Sequence, residues 1–132
     1  MKVLLFNGSP RENGCTFTAL SEIASALNKR GKNFAHKPVA VIASARRAGT
    51  TATLDTVSKY LGIVQMPVIS STYWNMVHGN TPEETKQDLE GMQIMKNIAL
   101  IMAWILRCIE VGRQSGITAP TAEKTVWTNF IR

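Results

Sequence analysis

At 132 residues, with 45% hydrophobic and 18% charged side chains, the chain can bury one core and is too apolar for a disordered tail. Its net charge of +6 is scattered in ones and twos (Lys29, Arg30, Lys32; Arg46, Arg47; Arg107, Arg113) without interleaved aromatics. That argues against nucleic acid and for an anionic small ligand or a solvated basic surface, while Cys15 and Cys108 make neither a disulfide framework nor a metal knuckle, as in a reducing cytoplasm.

Lys2–Phe6 is a short β-rich run ended by Asn7-Gly8, the pattern of a buried strand. The same Asn-Gly comes too early for the apolar region of a signal peptide, so none is expected. Phe17, Leu20, Ile23, Ala24 and Leu27 repeat at helical spacing, and Gly31 follows a Lys/Arg-rich last turn as a C-terminal cap does. Pro38 precedes a second apolar run, Val39–Ala43, and Ser44–Thr51 is again small, polar and basic. A helix is predicted from about Thr51 to Leu61, stopped by Gly62, then a third strand over Met66–Ser70 with Pro67 near its start. The segment STYWNMVHGN, residues 71–80, reads as a long loop, with His78, like His36, a loop histidine that lacks partners at metal-ligand spacing. Thr81, Pro82 and Glu84 combine an N-cap, a proline at the first helical position and a glutamate at the third. The helix they open is expected to carry Leu89, Met92, Met95, Ile98, Met102, Ile105 and Ile109 on one face, with Cys108 in the core, and to bend, if anywhere, at Gly91. Its most apolar stretch contains Arg107 in an amphipathic pattern, so no membrane span is expected. From Thr118 a tail carries Trp127, Phe130 and Ile131, which pack on the domain or reach a neighbouring subunit.

Successive strand–loop–helix units imply an α/β fold, a parallel sheet with helices on its faces, in which ligands bind beyond the carboxyl ends of the strands. Two of those ends are the unusual loops Asn7–Thr16 and Ser44–Thr51. In the first, Gly8 and Gly14 permit a close turn, Ser9, Thr16 and Thr18 offer hydroxyls, Arg11 offers a charged fork, and a helix begins. Five residues separate the glycines and Cys15 stands where a nucleotide P-loop needs Lys, so triphosphate hydrolysis is not indicated. Ser21 stands where a cysteine phosphatase would place its Arg, and the G-x-G-x-x-G dinucleotide pattern is absent. Cys15 reads as a small residue under the helix cap rather than a reactive thiol.

KVLLFNGSPRENGCT, at residues 2–16, resembles the phosphate loop of the flavodoxin-like NAD(P)H-dependent FMN reductases, which include the iron–sulfur flavoproteins. VIASARRAGTTATLD, at residues 41–55, resembles their flavin-ring loop, and MPVISSTYWNMVHGNTPEE, at residues 66–84, their next strand and loop. The resemblance implies FMN as cofactor, with its 5′-phosphate on Ser9, Arg11, Cys15 and Thr16 and its isoalloxazine against Ser44, Ala45, Arg46, Arg47, Gly49 and Thr50. Tyr73, Trp74 and Asn75 are weaker candidates for the ring pocket or a subunit contact. It implies an oxidoreductase that passes a hydride from NAD(P)H to flavin and on to an acceptor, without an obligatory protein acid or base, and a homo-oligomer.

The resemblance covers Met1–Gly31 and Phe34 to about Gly116, leaving residues 117–132 as a tail to one flavodoxin-like domain. Relatives carry a second and a third strand between those blocks, whereas here Lys29–Asn33 runs straight into what resembles the approach to their fourth strand. The flavodoxin-like sheet is therefore expected in abbreviated form, with an internal gap near residues 32–34 and without the cysteines that hold iron–sulfur in some relatives. A strand absent from the middle of a sheet leaves buried edges unpaired, so the sheet must close up, borrow strands from another chain, or lack a segment that the sequence omits. Omission or a real deletion is the expected case. The alternative function is a non-catalytic FMN- or anion-binding or assembly module.

Overall fold

The structure, a computed structural model, describes the backbone of residues 5–7 and residues 34–131. In chain order the elements are β1 (Leu5–Asn7), β2 (Ala40–Ala45), α1 (Thr50–Ile63), β3 (Met76–His78), α2 (Pro82–Gln87) and α3 (Leu89–Gln114). The fold is mixed α/β with a small parallel sheet in the order β1-β2-β3. The helix predicted from Phe17 lies outside the described residues.

The apolar run opened by Pro38 becomes the central strand because both of its faces are covered. Val39 and Val41 are buried on one face against Leu61 and Met66, with Leu54 and Val57 of α1 packed beside them. Ala40 faces the other way, onto Ile69, Ile98 and Met102, so α3 covers the second face. Leu54, Val57 and Leu61 stand at the spacing that puts them on one side of α1. Gly62, predicted to stop that helix, is instead inside its last turn, and Val64 caps it.

The slot between the first strand and the Val39–Ala43 strand is closed. Leu5 pairs with Ala40, Phe6 with Val41 and Asn7 with Ile42, so β1 bonds directly to β2. Closure within the chain satisfies the backbone groups that an open slot would strand.

The predicted strand Met66–Ser70 is interrupted rather than continuous. Val68 bridges to Val39, where Val39 N–H donates to Pro67 O at 3.0 Å and Ile69 N–H to Val39 O at 2.8 Å. The chain then loops outward and returns, pairing Met76 with Ala43, Ser44 with Val77 and Ala45 with His78. Residues 68 and 76 thus fill one sheet edge with four more residues than β2 uses between 39 and 43. Asn75 holds the excursion, its amide donating to Ile69 O at 3.1 Å and accepting from Ser71 N–H at 3.0 Å. The true strand β3 lies inside the segment predicted as loop, because a polar side chain replaces the ladder where the outlooped residues break it.

The predicted cap at Thr81 is present: its Oγ1 accepts from Glu84 N–H at 3.2 Å, and Glu84 Oε2 accepts from Asn80 N–H at 2.7 Å. The helix it opens ends at Gln87, however, and Asp88 starts a second one by accepting from Gly91 N–H at 2.9 Å. The break therefore falls three residues before the glycine expected to bend. The core face of α3 is narrower than predicted, with Ile94, Ile98 and Met102 buried while Leu89, Met92 and Ile109 are exposed. Cys108 is also exposed, a correction to its expected place in the core. The small sheet ends before it can cover the whole length of α3.

Candidate functional site: the carboxyl end of the central strand

Ser44 and Ala45 end β2 half-buried beside Val77 and His78, and Gly79 N–H donates to Ala45 O at 3.2 Å to close the ladder. The chain then bends through Arg46, Arg47 and Ala48, all exposed, and enters α1 from Gly49. Gly49 has φ 94°, a left-handed conformation that side chains rarely adopt, which explains a glycine at this turn. No side chain caps α1 and its first turn holds no acidic residue. The N–H groups of Thr50, Thr51 and Ala52 thus point out of the helix end unpaired within it, and the helix dipole adds positive charge to that of the two arginines.

Thr50, which the resemblance places against the flavin ring, has its side chain turned into the fold. It is 5% exposed and its Oγ1 donates to Met76 Sδ at 3.4 Å, so it ties α1 to β3 and leaves only its backbone N–H outward. Asn75 is likewise committed to the backbone of its own loop. Tyr73 and Trp74 are exposed and stack edge to face, with ring centroids 4.9 Å apart. Ser9, Arg11, Cys15 and Thr16 lie outside the described residues. Asn7, which precedes them, is level with Ile42 on the sheet.

Two residues at this end were not anticipated. His78 sits opposite Ala45 at the rim, its Nδ1 3.7 Å from Asp88 Oδ2. Asp88 Oδ2 also accepts from His78 N–H at 2.7 Å and Oδ1 from Gly91 N–H. These backbone donors, Gly91 first and then His78, hold the Asp88 carboxyl below the usual carboxylate range against the opposing effect of burial. The alternation Met76-Val77-His78 ahead of Gly79-Asn80 is the one signal that could have marked His78 as a strand end.

The arrangement suits an anion: an open helix end, two arginines and a histidine ring, with the nearby carboxylate already occupied by backbone donors. Among the described residues no cluster of histidine, cysteine and acidic side chains could hold a metal, and no helix is long and apolar enough to cross a membrane. A cavity of about 540 Å³ lies near the opposite, amino end of β2, between Phe34, His36, Ile63, Gln65 and Pro120, away from this loop.

No family model matches the chain, and neither the curated proteins nor the solved structures hold a match to it.

Proposed function

We propose that the chain is an FMN-dependent oxidoreductase of flavodoxin-like build, cytoplasmic and homo-oligomeric, that takes a hydride from NAD(P)H and delivers it to a further acceptor. The observation that carries this reading is the loop Ser44–Thr50, an uncapped helix end with two exposed arginines at the carboxyl end of the central strand. Flavin mononucleotide, when bound, supplies the ring that accepts hydride and the negative charge that follows reduction. Toward such a group the backbone N–H groups after Gly49 offer fixed donors, and the exposed Arg46 and Arg47 offer positive charge that stabilises the reduced ring. Ser9, Arg11, Cys15 and Thr16 are proposed for the phosphate on the resemblance of their loop.

The direct pairing of β1 with β2 favours a second reading, a non-catalytic FMN- or anion-binding or assembly module. With no strand between these two, the loop that closes over phosphate and ring in the reductases has no strand end to spring from. Visible absorption of the purified chain separates the readings. Yellow protein that bleaches with NADH or NADPH in the absence of air supports the oxidoreductase. Protein that turns yellow with FMN but bleaches with neither supports the module. Protein that gains no flavin absorbance with excess FMN overturns both flavin readings.

A further inference from the structure

We propose that the outward side of α3 seats the C-terminal segment of a second copy of this chain, two copies exchanging these segments about a two-fold axis. The sheet-facing side of α3 is spent on Ile94, Ile98 and Met102. On the opposite side Leu100, Trp104 and Val111 lie along one line at helical spacing, with the exposed Arg107 between the last two, and are 61%, 65% and 61% exposed. A solvent-facing helix side is normally polar, so a Trp-centred stripe marks a contact surface. The same chain carries a matching unpacked segment, with Trp127 88% and Phe130 91% exposed.

The chain's own tail is led away from the stripe. After α3, Ile117 N–H donates to Gly112 O at 2.9 Å, and three residues further on Pro120 O lies 3.0 Å from His36 Nε2, in the turn that leads into β2. Through Lys124 the tail lines a cavity with Ile63 and Gln65 at the end of α1, on the sheet face opposite α3. From there to the outer side of α3 is roughly 20 Å, one sheet spacing plus one helix diameter. Trp127 reaches at most about 11 Å beyond Lys124, and Phe130, at about 21 Å fully stretched, could touch the stripe but not lie along it. A second copy meets no such limit.

The area also suits a dimer. Trp104, Trp127 and Phe130 bring about 150–250 Å² each, so two exchanged contacts reach about 900–1,500 Å² from aromatics alone, within reach of a standard stable interface. A two-fold exchange closes on itself, so each copy gives one tail and receives one.

Light scattering on the full chain after gel filtration tests this. The expected result is a particle of twice the 14.5 kDa chain mass, with Trp104→Glu and Trp127→Glu each reduced to the single-chain mass. Mixed together, the two variants are expected to recover a dimer, because the intact tail of the first fits the intact stripe of the second. That dimer should be weaker than wild type by roughly tenfold or more, having one exchanged contact of the two. A monomeric wild-type chain, a Trp127→Glu variant as dimeric as wild type, or two folded variants that give no mixed dimer would each overturn the proposal. Trp127 is 88% exposed, so its variant stays decisive even if the Trp104 variant loses helical circular dichroism.

Discussion

Asp88 joins three pieces of chain through one carboxylate. It caps α3 at Gly91, holds the backbone of the strand-end His78, and lies 3.7 Å from that residue's ring. Replacing it by Ala removes a cap and should cost about 1–2 kcal/mol in urea unfolding, with Asn losing less because it keeps one acceptor oxygen. The carboxyl is held below its ordinary value in the folded state, so its contribution is fully present above about pH 4 and is lost as pH falls through the lowered folded value. The stability gap between wild type and Asp88→Asn should therefore be level from neutral pH to about pH 5 and shrink below about pH 4. A gap that widens on acidification would contradict the assignment. Gly91 is required by packing: a Cβ there would collide with the Asp88 carboxylate and stand 2.9 Å from Val77 Cγ2. Gly91→Ala should destabilise by about 1–3 kcal/mol, although Ala is the better helix former. An unchanged or raised melting temperature would refute that contact.

At the scale of elements, the two long helices are held by short rows of side chains against one strand. α1 meets Val39 and Val41 through Leu54, Val57 and Leu61, and α3 meets Ala40 through Ile98 and Met102. Periodicity showed that α3 has an apolar side, and its central residues Ile98 and Met102 were legible from spacing alone. Periodicity could not show where the sheet stops, so Leu89 and Ile109 looked equally internal although both are exposed. Ile98→Ala should cost about 2–4 kcal/mol by leaving a cavity, whereas Leu89→Ala should move stability by only a few tenths. Paired denaturation curves decide it, and equal losses at the two positions would mean that the helix is rotated from the face described. The interrupted edge strand was legible only in part for a similar reason. Met66–Ser70 reads as a strand locally, but its resumption at Met76 depends on the Asn75 amide finding Ile69 O and Ser71 N–H, a contact between positions rather than a property of either.

For the molecule as a whole, charge and site converge at the carboxyl end of β2. A ligand that binds the folded chain alone raises its stability by mass action, about 2.7 kcal/mol at a concentration of 100 times its dissociation constant. On the proposed flavin reading, saturating FMN should raise the melting temperature of wild type, and the double variant Arg46→Ala, Arg47→Ala should lose most of that gain. Both arginines are exposed and should leave the ligand-free melting temperature near that of wild type. A full FMN shift in the double variant would remove them from the site.

By itself the sequence determined the α/β character, the apolar strand after Pro38, the Thr81 cap and the basic loop Ser44–Thr51 that turns into a helix. Each is a local matter of side-chain period, backbone freedom or a hydrogen bond within a few residues, so it is written in neighbouring letters. The tertiary structure alone decided that β1 pairs straight with β2, that the Thr50 hydroxyl turns inward onto Met76, and that His78 and Asp88 stand at the rim of the basic loop. Those outcomes follow from which backbone donors and buried faces must be satisfied once the strands lie side by side. That requirement exists only in the packed molecule.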